Sequence, residues 1–280
     1  MSSLQLASQT NAGFDVRRHF SLRLVPFTRE IKTAERWRNE AHEQELQGLR
    51  HTVEQRMSAA LIAPPGSGKT NLLRALKDSL PDARYRLHYV MVTGLGKRDF
   101  CREISRALGC SPAGRYDALV HQIQERCVTL ADEQSLRPVL FIDEAHDLRP
   151  DVLSILRVIT NFEMDSKLVV SLILAGQSGL RDLLRRAELE AVSCRLAHFA
   201  TLRPLSRAES REYIEHRLKI AGARSSLFDP HAQDALFECA QGNLRALSRL
   251  ALKSLEEGAK MGVPVIGAEI VAAARARITP

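Results

Sequence analysis

A chain of 280 residues can hold one large domain or two moderate ones. Hydrophobic residues at 45% and charged residues at 26% are ordinary proportions for a soluble protein, and no apolar run nears the ~18 residues of a membrane-crossing helix. The net charge of +7 favours a polyanionic partner. The five scattered cysteines form no Cys-x-x-Cys pair, which speaks against disulfide frameworks and clustered metal ligands and fits a reducing cytoplasm.

Residues 1–20 are polar and irregular and are expected to form a mobile tail; Met1-Ser2-Ser3-Leu4 lacks the basic patch and apolar core of a signal peptide. Leu24-Val25-Pro26-Phe27 precedes a helix-like stretch, Ile31 to Met57. It is either a packing strut or one wall of a base-binding pocket. Next comes an apolar run, Ala59-Ala60-Leu61-Ile62, then Ala63-Pro64-Pro65-Gly66-Ser67-Gly68-Lys69-Thr70, then a helical run from Asn71 to Leu76. Strand, glycine-rich loop and helix are the context of a phosphate-binding loop. Gly66 and Gly68 let backbone N–H groups approach phosphate oxygens. Lys69 can reach the β- and γ-phosphates, and Thr70 can hold Mg²⁺. The helix N-terminus adds dipole and open donors, so Pro65, Gly66, Ser67, Gly68, Lys69, Thr70 and Asn71 are the candidate cofactor-binding residues. Ala63 stands where the motif's first glycine usually lies, and would be strained if that position required positive φ.

Tyr85 to Val92 predicts a second strand. Thr93-Gly94-Leu95-Gly96 forms a loop, and Lys97-Arg98 opens a helix on which Arg98, Arg102 and Arg106 share a face. That row is either a solvated face or, with Lys97 and Arg115, a phosphate-contacting rim. A helix follows from Tyr116 to Leu130. Val139-Leu140-Phe141-Ile142 then reads as a buried parallel strand that ends in Asp143-Glu144. Its end would set Asp143 beside Mg²⁺ and Glu144 near the attacking water. Two matched motifs in order point to ATP and Mg²⁺. A helix to Phe162 and a buried strand from Lys167 to Leu174 come next. A polar residue at that strand's end, Gln177, would face the γ-phosphate. Leu180 to Val192 is helical, and a last strand runs from His198 to Leu202.

From Ser206 the pattern is helical only: 206–221, 230–241, 244–258 and 266–278. Ser206 and Glu209 are spaced as a capping box. Strands alternating with helices, then helices alone, predict an α/β nucleotide-binding domain at 21–205 and a small helical domain at 206–280.

These residues resemble the AAA+ ATPases. The resemblance rests on loop 63–70, the pair 143–144, Gln177 as a sensor, and Gly242-Asn243-Leu244-Arg245 opening a lid helix. It implies a P-loop NTPase core, a parallel sheet flanked by helices, with an all-helical lid. It also implies that Arg245 reaches the γ-phosphate as a second sensor, and that Arg195 is an arginine finger supplied to a neighbour, with Arg185 and Arg186 as rivals. Leu174-Ala175-Gly176-Gln177 with Leu180, and the short lid, look like the ExeA-type group, which includes transposition ATPases similar to TniB, TnsC and phage Mu B. That branch implies a ring or helical filament on double-stranded DNA that recruits a transposase or integrase. DNA contacts would fall at Lys97, Arg98, Arg102 and Arg115, with no membrane partner. The competing readings are a secretion-assembly ATPase and a replication-initiator or helicase-loader ATPase. Asp143-Glu144-Ala145-His146 also spells a helicase box, which we read as coincidence because a helicase of that type needs two tandem cores.

Overall fold

The computed structural model describes residues 15–28, 30–112 and 114–278. In chain order they form α1 (Val16–His19), α2 (Glu40–Glu54), β1 (Ser58–Ile62), α3 (Lys69–Ser79), β2 (Tyr85–Met91), α4 (Lys97–Ala107), α5 (Tyr116–Val128), β3 (Arg137–Asp143), α6 (Pro150–Leu153), α7 (Ile155–Ile159), β4 (Ser171–Gly176), α8 (Ser178–Leu184), α9 (Glu190–Ser193), β5 (Leu196–Thr201), α10 (Arg207–Ala221), α11 (Pro230–Ala240), α12 (Leu244–Met261) and α13 (Ala268–Ala276). They group into two compact units, residues 38–203 and a unit built from both ends of the chain, 1–37 with 204–280.

In the first unit five parallel strands lie in the order β2-β3-β4-β1-β5. The central strands β1 and β4 are buried along their whole length, as strands covered on both faces must be. The edge strands β2 and β5 alternate buried and exposed residues. Alternate side chains of the central strands feed two cores. Leu61, Val139, Phe141, Ile173 and Ala175 pack with Leu49, Leu72 and Leu76 of α2 and α3. Ala60, Leu140, Ile142, Leu172 and Leu174 pack with Phe100, Ile104, Ile123 and Leu180 on the other face. The result is three layers, with the loops after β1, β3 and β4 at one edge.

Several expected boundaries move. The helix expected over 31–57 is α2 alone, after a short turn at Thr33–Glu35. The strand expected from Lys167 starts at Ser171, where Leu172 N–H donates to Ser58 Oγ at 2.9 Å. Past α5 the chain widens at Thr129–Glu133, and Gln134 N–H donates to Thr129 five residues back.

The second unit corrects the expected organisation of the N-terminal segment. Residues 1–14 of the expected mobile tail lie outside the described residues. Residues 15–20 are ordered: Asp15 caps α1, and Val16 and Phe20 are buried. Residues up to Trp37 group with the C-terminal helices rather than the sheet, because Val16, Phe20, Leu22 and Phe27 share one apolar core with Ile214, Phe228, Leu247 and Val271. Arg23 N–H donates to Ala221 O at 2.8 Å, and His216 Nε2 donates to Glu35 O at 2.9 Å. Ser206 and Glu209 form the capping box at the start of α10.

The turn before α12 tests this packing. Gly242 has φ +73° and its carbonyl accepts Leu205 N–H; a Cβ there would stand 2.2 Å from Leu205 O. Gly262, after α12, has φ +71° but open space where a Cβ would go. Gly242→Ala should therefore lower stability by about 2–4 kcal/mol, from left-handed strain plus overpacking, and Gly262→Ala by about 1–2 kcal/mol from strain alone. Denaturant midpoints check the order, and equal losses would refute the crowding at Leu205.

Candidate nucleotide site

Three strand ends of the first unit supply the site. β1 runs into the loop 63–68. Ala63 is buried, does not take a positive φ, and its N–H donates to Gly176 O at 3.0 Å. Alanine at the motif's first position therefore extends the strand without strain. The positive φ falls on Gly66 (79°) and Gly68 (98°), where glycine costs least. Ser67 is buried and its hydroxyl donates to Pro64 O at 2.8 Å, so it braces the loop itself. No side chain caps the N-terminus of α3. Its first N–H groups have no partner inside the helix, and an anion would satisfy them and the helix dipole. Thr70 and Asn71 are exposed on its first turn.

Lys69 is buried, with its side chain 10% exposed. Its Nζ lies 2.9 Å from Asp143 Oδ1 and 2.7 Å from Glu144 Oε1. Asp143 is 5% exposed at the end of β3, and its Oδ1 also accepts Glu144 N–H at 2.9 Å. Glu144 takes φ 57° and ψ 32°, which turns its partly exposed carboxylate back toward Lys69. Gln177 follows β4, half-buried, on extended backbone at the start of α8. β4 lies between β1 and β3, so Gln177 sits at the sheet edge between the loop and the carboxylates. The structure thus brings Lys69, Asp143 and Glu144 into contact and sets Gln177 at the same edge.

Two side chains here were not singled out from the sequence. Tyr89 Oη donates to Asp143 Oδ2 at 3.0 Å. His146 Nδ1 lies 3.5 Å from Glu144 Oε2 and its Nε2 3.5 Å from Asp147 Oδ1. The β2–β3 register pairs Tyr89 with Phe141, hence diagonal to Asp143, within reach of a long aromatic side chain. Only the register carries that signal. His146 was legible only as part of the helicase-like box.

The remaining expected residues are placed as follows. Arg195 donates to Ala191 O at 2.8 Å and pairs with Asp165, so it is engaged within its own unit. Arg186 lies 3.7 Å from Glu188, and Arg185 is exposed. The expected basic rim is partly compensated: Lys97 lies 3.7 Å from Asp151, and Arg102 lies 2.9 Å from Asp99. Arg98 donates to a carbonyl, Gly114 O, at 3.1 Å, which sets it beside exposed Arg115. In the second unit, Arg245 is exposed in the first turn of α12, behind the N-cap Asn243. A cation at that end opposes the helix dipole, a placement that a nearby anion would relieve. Also there, Val25 and Pro26 line a cavity of about 230 Å³ with Ile220 and buried Arg217, whereas Phe27 is core, its ring 6.4 Å from that of Phe228. Phe27 is therefore not an exposed wall of the base pocket expected there.

A parallel α/β sheet with a glycine loop before a helix, a buried lysine and a strand-end carboxylate pair defines a P-loop NTPase. Residues 50–184 match the family model of the AAA domain. General secretion pathway protein A of Aeromonas hydrophila is 28% identical over 242 residues, covering 84% of this chain and 43% of that protein; the chain thus spans less than half of its relative. Cdc6p from Pyrobaculum aerophilum superposes with a TM-score of 0.72 at 20% identity, over 90% of this chain and 70% of that one. The ORC1 protein of Aeropyrum pernix, solved in complex with DNA, gives 0.63 at 19%, over 85% and 65%. The Holliday junction branch migration motor RuvB of Thermotoga maritima gives 0.58 at 19%, over 86% and 69%. The fold is that of the AAA+ P-loop NTPases, and the matched AAA domain, which holds the loop 63–70 and the pair 143–144, points to ATP with Mg²⁺ as the cofactor.

The residues present fit that cofactor. The uncapped start of α3 and the Lys69 ammonium offer donors to phosphates, and Thr70 and Asp143 offer oxygens to Mg²⁺. The bound metal would offset charge on the transferred phosphoryl group. Glu144 is the chain's candidate proton acceptor for the attacking water. Glu144→Gln keeps the shape but accepts no proton, so it should bind ATP normally and turn over at least about 10²-fold more slowly. Lys69→Ala should instead lose nucleotide binding. Phosphate release and equilibrium nucleotide binding check both, and unchanged turnover in Glu144→Gln would rule out its role as base.

Proposed function

We propose that this protein is a DNA-associated AAA+ ATPase that assembles with further copies on double-stranded DNA when ATP binds and recruits a transposase or integrase. It would act in the cytoplasm. The observation that carries the DNA part is Arg98, bonded to Gly114 O beside exposed Arg115, neither with a carboxylate partner among the described residues, in a chain of net charge +7. Support comes from the fold it shares with an ORC1 protein solved with DNA. The expected rim of four cations narrows to these two, because carboxylates offset Lys97 and Arg102. Such contacts would hold phosphates and read no sequence.

The test is ATP-dependent binding of Arg98→Ala plus Arg115→Ala to two unrelated duplexes over a salt series. The log–log salt slope should fall by about 2 units and affinity should fall alike on both duplexes, with ATP binding intact. An unchanged slope would sink the DNA assignment.

In the same proposal Gln177 and Arg245 sense the γ-phosphate, and Arg195 leaves Asp165 to act on a neighbouring copy's nucleotide. Arg195→Ala should then bind ATP without turnover, and mixing it with Lys69→Ala should restore some activity through mixed interfaces. A mixture that co-assembles and stays inactive would place the finger elsewhere.

A second reading, an ATPase of secretion assembly, is favoured by the 28% identity with a general secretion pathway protein. No described helix is long and apolar enough to cross a membrane. Absence of ATP-dependent DNA retention in the wild type would favour it. A replication-initiator or helicase-loader role shares the DNA prediction and would differ in lacking a transposase partner.

A further inference from the structure

We propose that Tyr89 is a positioning residue of the nucleotide site, whose phenol fixes the direction in which Asp143 presents its carboxylate to the metal. The assignment rests on the reading of this edge as an Mg²⁺–ATP site and concerns a residue outside the two sequence motifs.

Asp143 Oδ1 lies 2.9 Å from Lys69 Nζ and accepts Glu144 N–H at 2.9 Å. Oδ2 accepts the Tyr89 hydroxyl at 3.0 Å. A carboxylate offers about four lone-pair directions. Three are taken here, and the fourth lies on Oδ2. The phenol therefore decides where the remaining direction points, as outer-shell partners do for metal-bound carboxylates.

Tyr89 is suited to that task. Its ring is 50% exposed on an edge strand, so core packing does not account for its placement. A phenol has a proton to give and a carboxylate oxygen accepts, so at 3.0 Å the hydroxyl acts toward Asp143 as a donor. Tyr89 reaches Asp143 from β2, on one side of β3, whereas Lys69, at the start of α3, follows β1 on the other side of β3 in the sheet order. A strand residue and a helix residue thus hold the carboxylate by different oxygens, Tyr89 on Oδ2 and Lys69 on Oδ1.

The experiment uses the full chain and two variants, Tyr89→Phe and Met91→Ala. Met91 is the next residue on the same strand face and is exposed. Mn²⁺ binding is read by electron paramagnetic resonance with a non-hydrolysable ATP analogue. Nucleotide affinity is read separately in EDTA with a fluorescent analogue. Tyr89→Phe keeps the ring and loses the donor. Its Mn²⁺ dissociation constant should rise about 10–100-fold, with metal-free nucleotide affinity unchanged. The Mg²⁺ concentration for half-maximal turnover should shift in the same direction. Met91→Ala should match the wild type in all three. Unchanged Mn²⁺ affinity in Tyr89→Phe overturns the proposal, as does an equal loss in EDTA or the same loss in Met91→Ala. A wild type that takes up no Mn²⁺ with nucleotide overturns the Mg²⁺–ATP reading as well.

Discussion

A buried ammonium sets the terms for the first unit. Lys69 is nearly inaccessible, and a charge so placed requires a partner of opposite sign. Its partners come from β3, two strand positions from β1, or about 10 Å at ordinary strand spacing. The strand between them must therefore end without crowding the gap. β4 ends in Gly176, where a Cβ would stand 3.0 Å from Leu180 Cδ2 and 3.2 Å from the backbone nitrogen of His146. A side chain there would push on the turn that carries Glu144. Sheet order, the glycine at 176 and the Lys69 contacts are one constraint seen from three strands.

The same cluster explains the backbone at Glu144. One ammonium faces two carboxylates, so it carries one excess negative charge when all three are ionised. Such a site favours a further cation over an empty apolar lining. Bringing both carboxylates to one lysine requires the chain to reverse at once after β3, and Glu144 does so with a left-handed backbone. For a residue with a Cβ this costs about 1–2 kcal/mol. Strain of this kind persists where surrounding contacts over-determine it, here the Asp143 bond to Glu144 N–H and the Lys69 ion pair.

What was legible in the sequence follows from the range of the interactions. The loop 63–70 and the pair 143–144 announce themselves because each is contiguous and flanked by an apolar run. The helices from 206 onward were visible through periodicity and through Ser206 and Glu209, three residues apart. Tyr89 was hidden, because its link to Asp143 depends on a strand register that no local pattern fixes. The charge balance of the rim was only partly legible for a related reason. Arg98, Arg102 and Arg115 are countable as charges, but Lys97 meets a carboxylate 54 positions away at Asp151. The pairing of Arg102 with Asp99 was readable, since residues three apart on a helix are neighbours. Formal charge along a sequence overstates the field of a folded surface wherever such pairs form.

The N-terminal segment shows the limit of reading domains from chain order. Leu22 and Phe27 are apolar in sequence, but nothing local says which core they enter. They enter one whose other members lie about 190 to 225 residues further on, at Ile214, Phe228 and Leu247. Chain-closure entropy grows only as the logarithm of the separation, so distance along the chain is a weak barrier to such an arrangement. Burying side chains such as Phe20 and Phe27 is worth roughly 1.5–3 kcal/mol each. The second unit is therefore assembled from both ends of the chain. Val25 and Pro26 line its cavity from the N-terminal side, Ile220 and Arg217 from the C-terminal side. A domain boundary drawn at residue 206 would divide the residues that make that cavity.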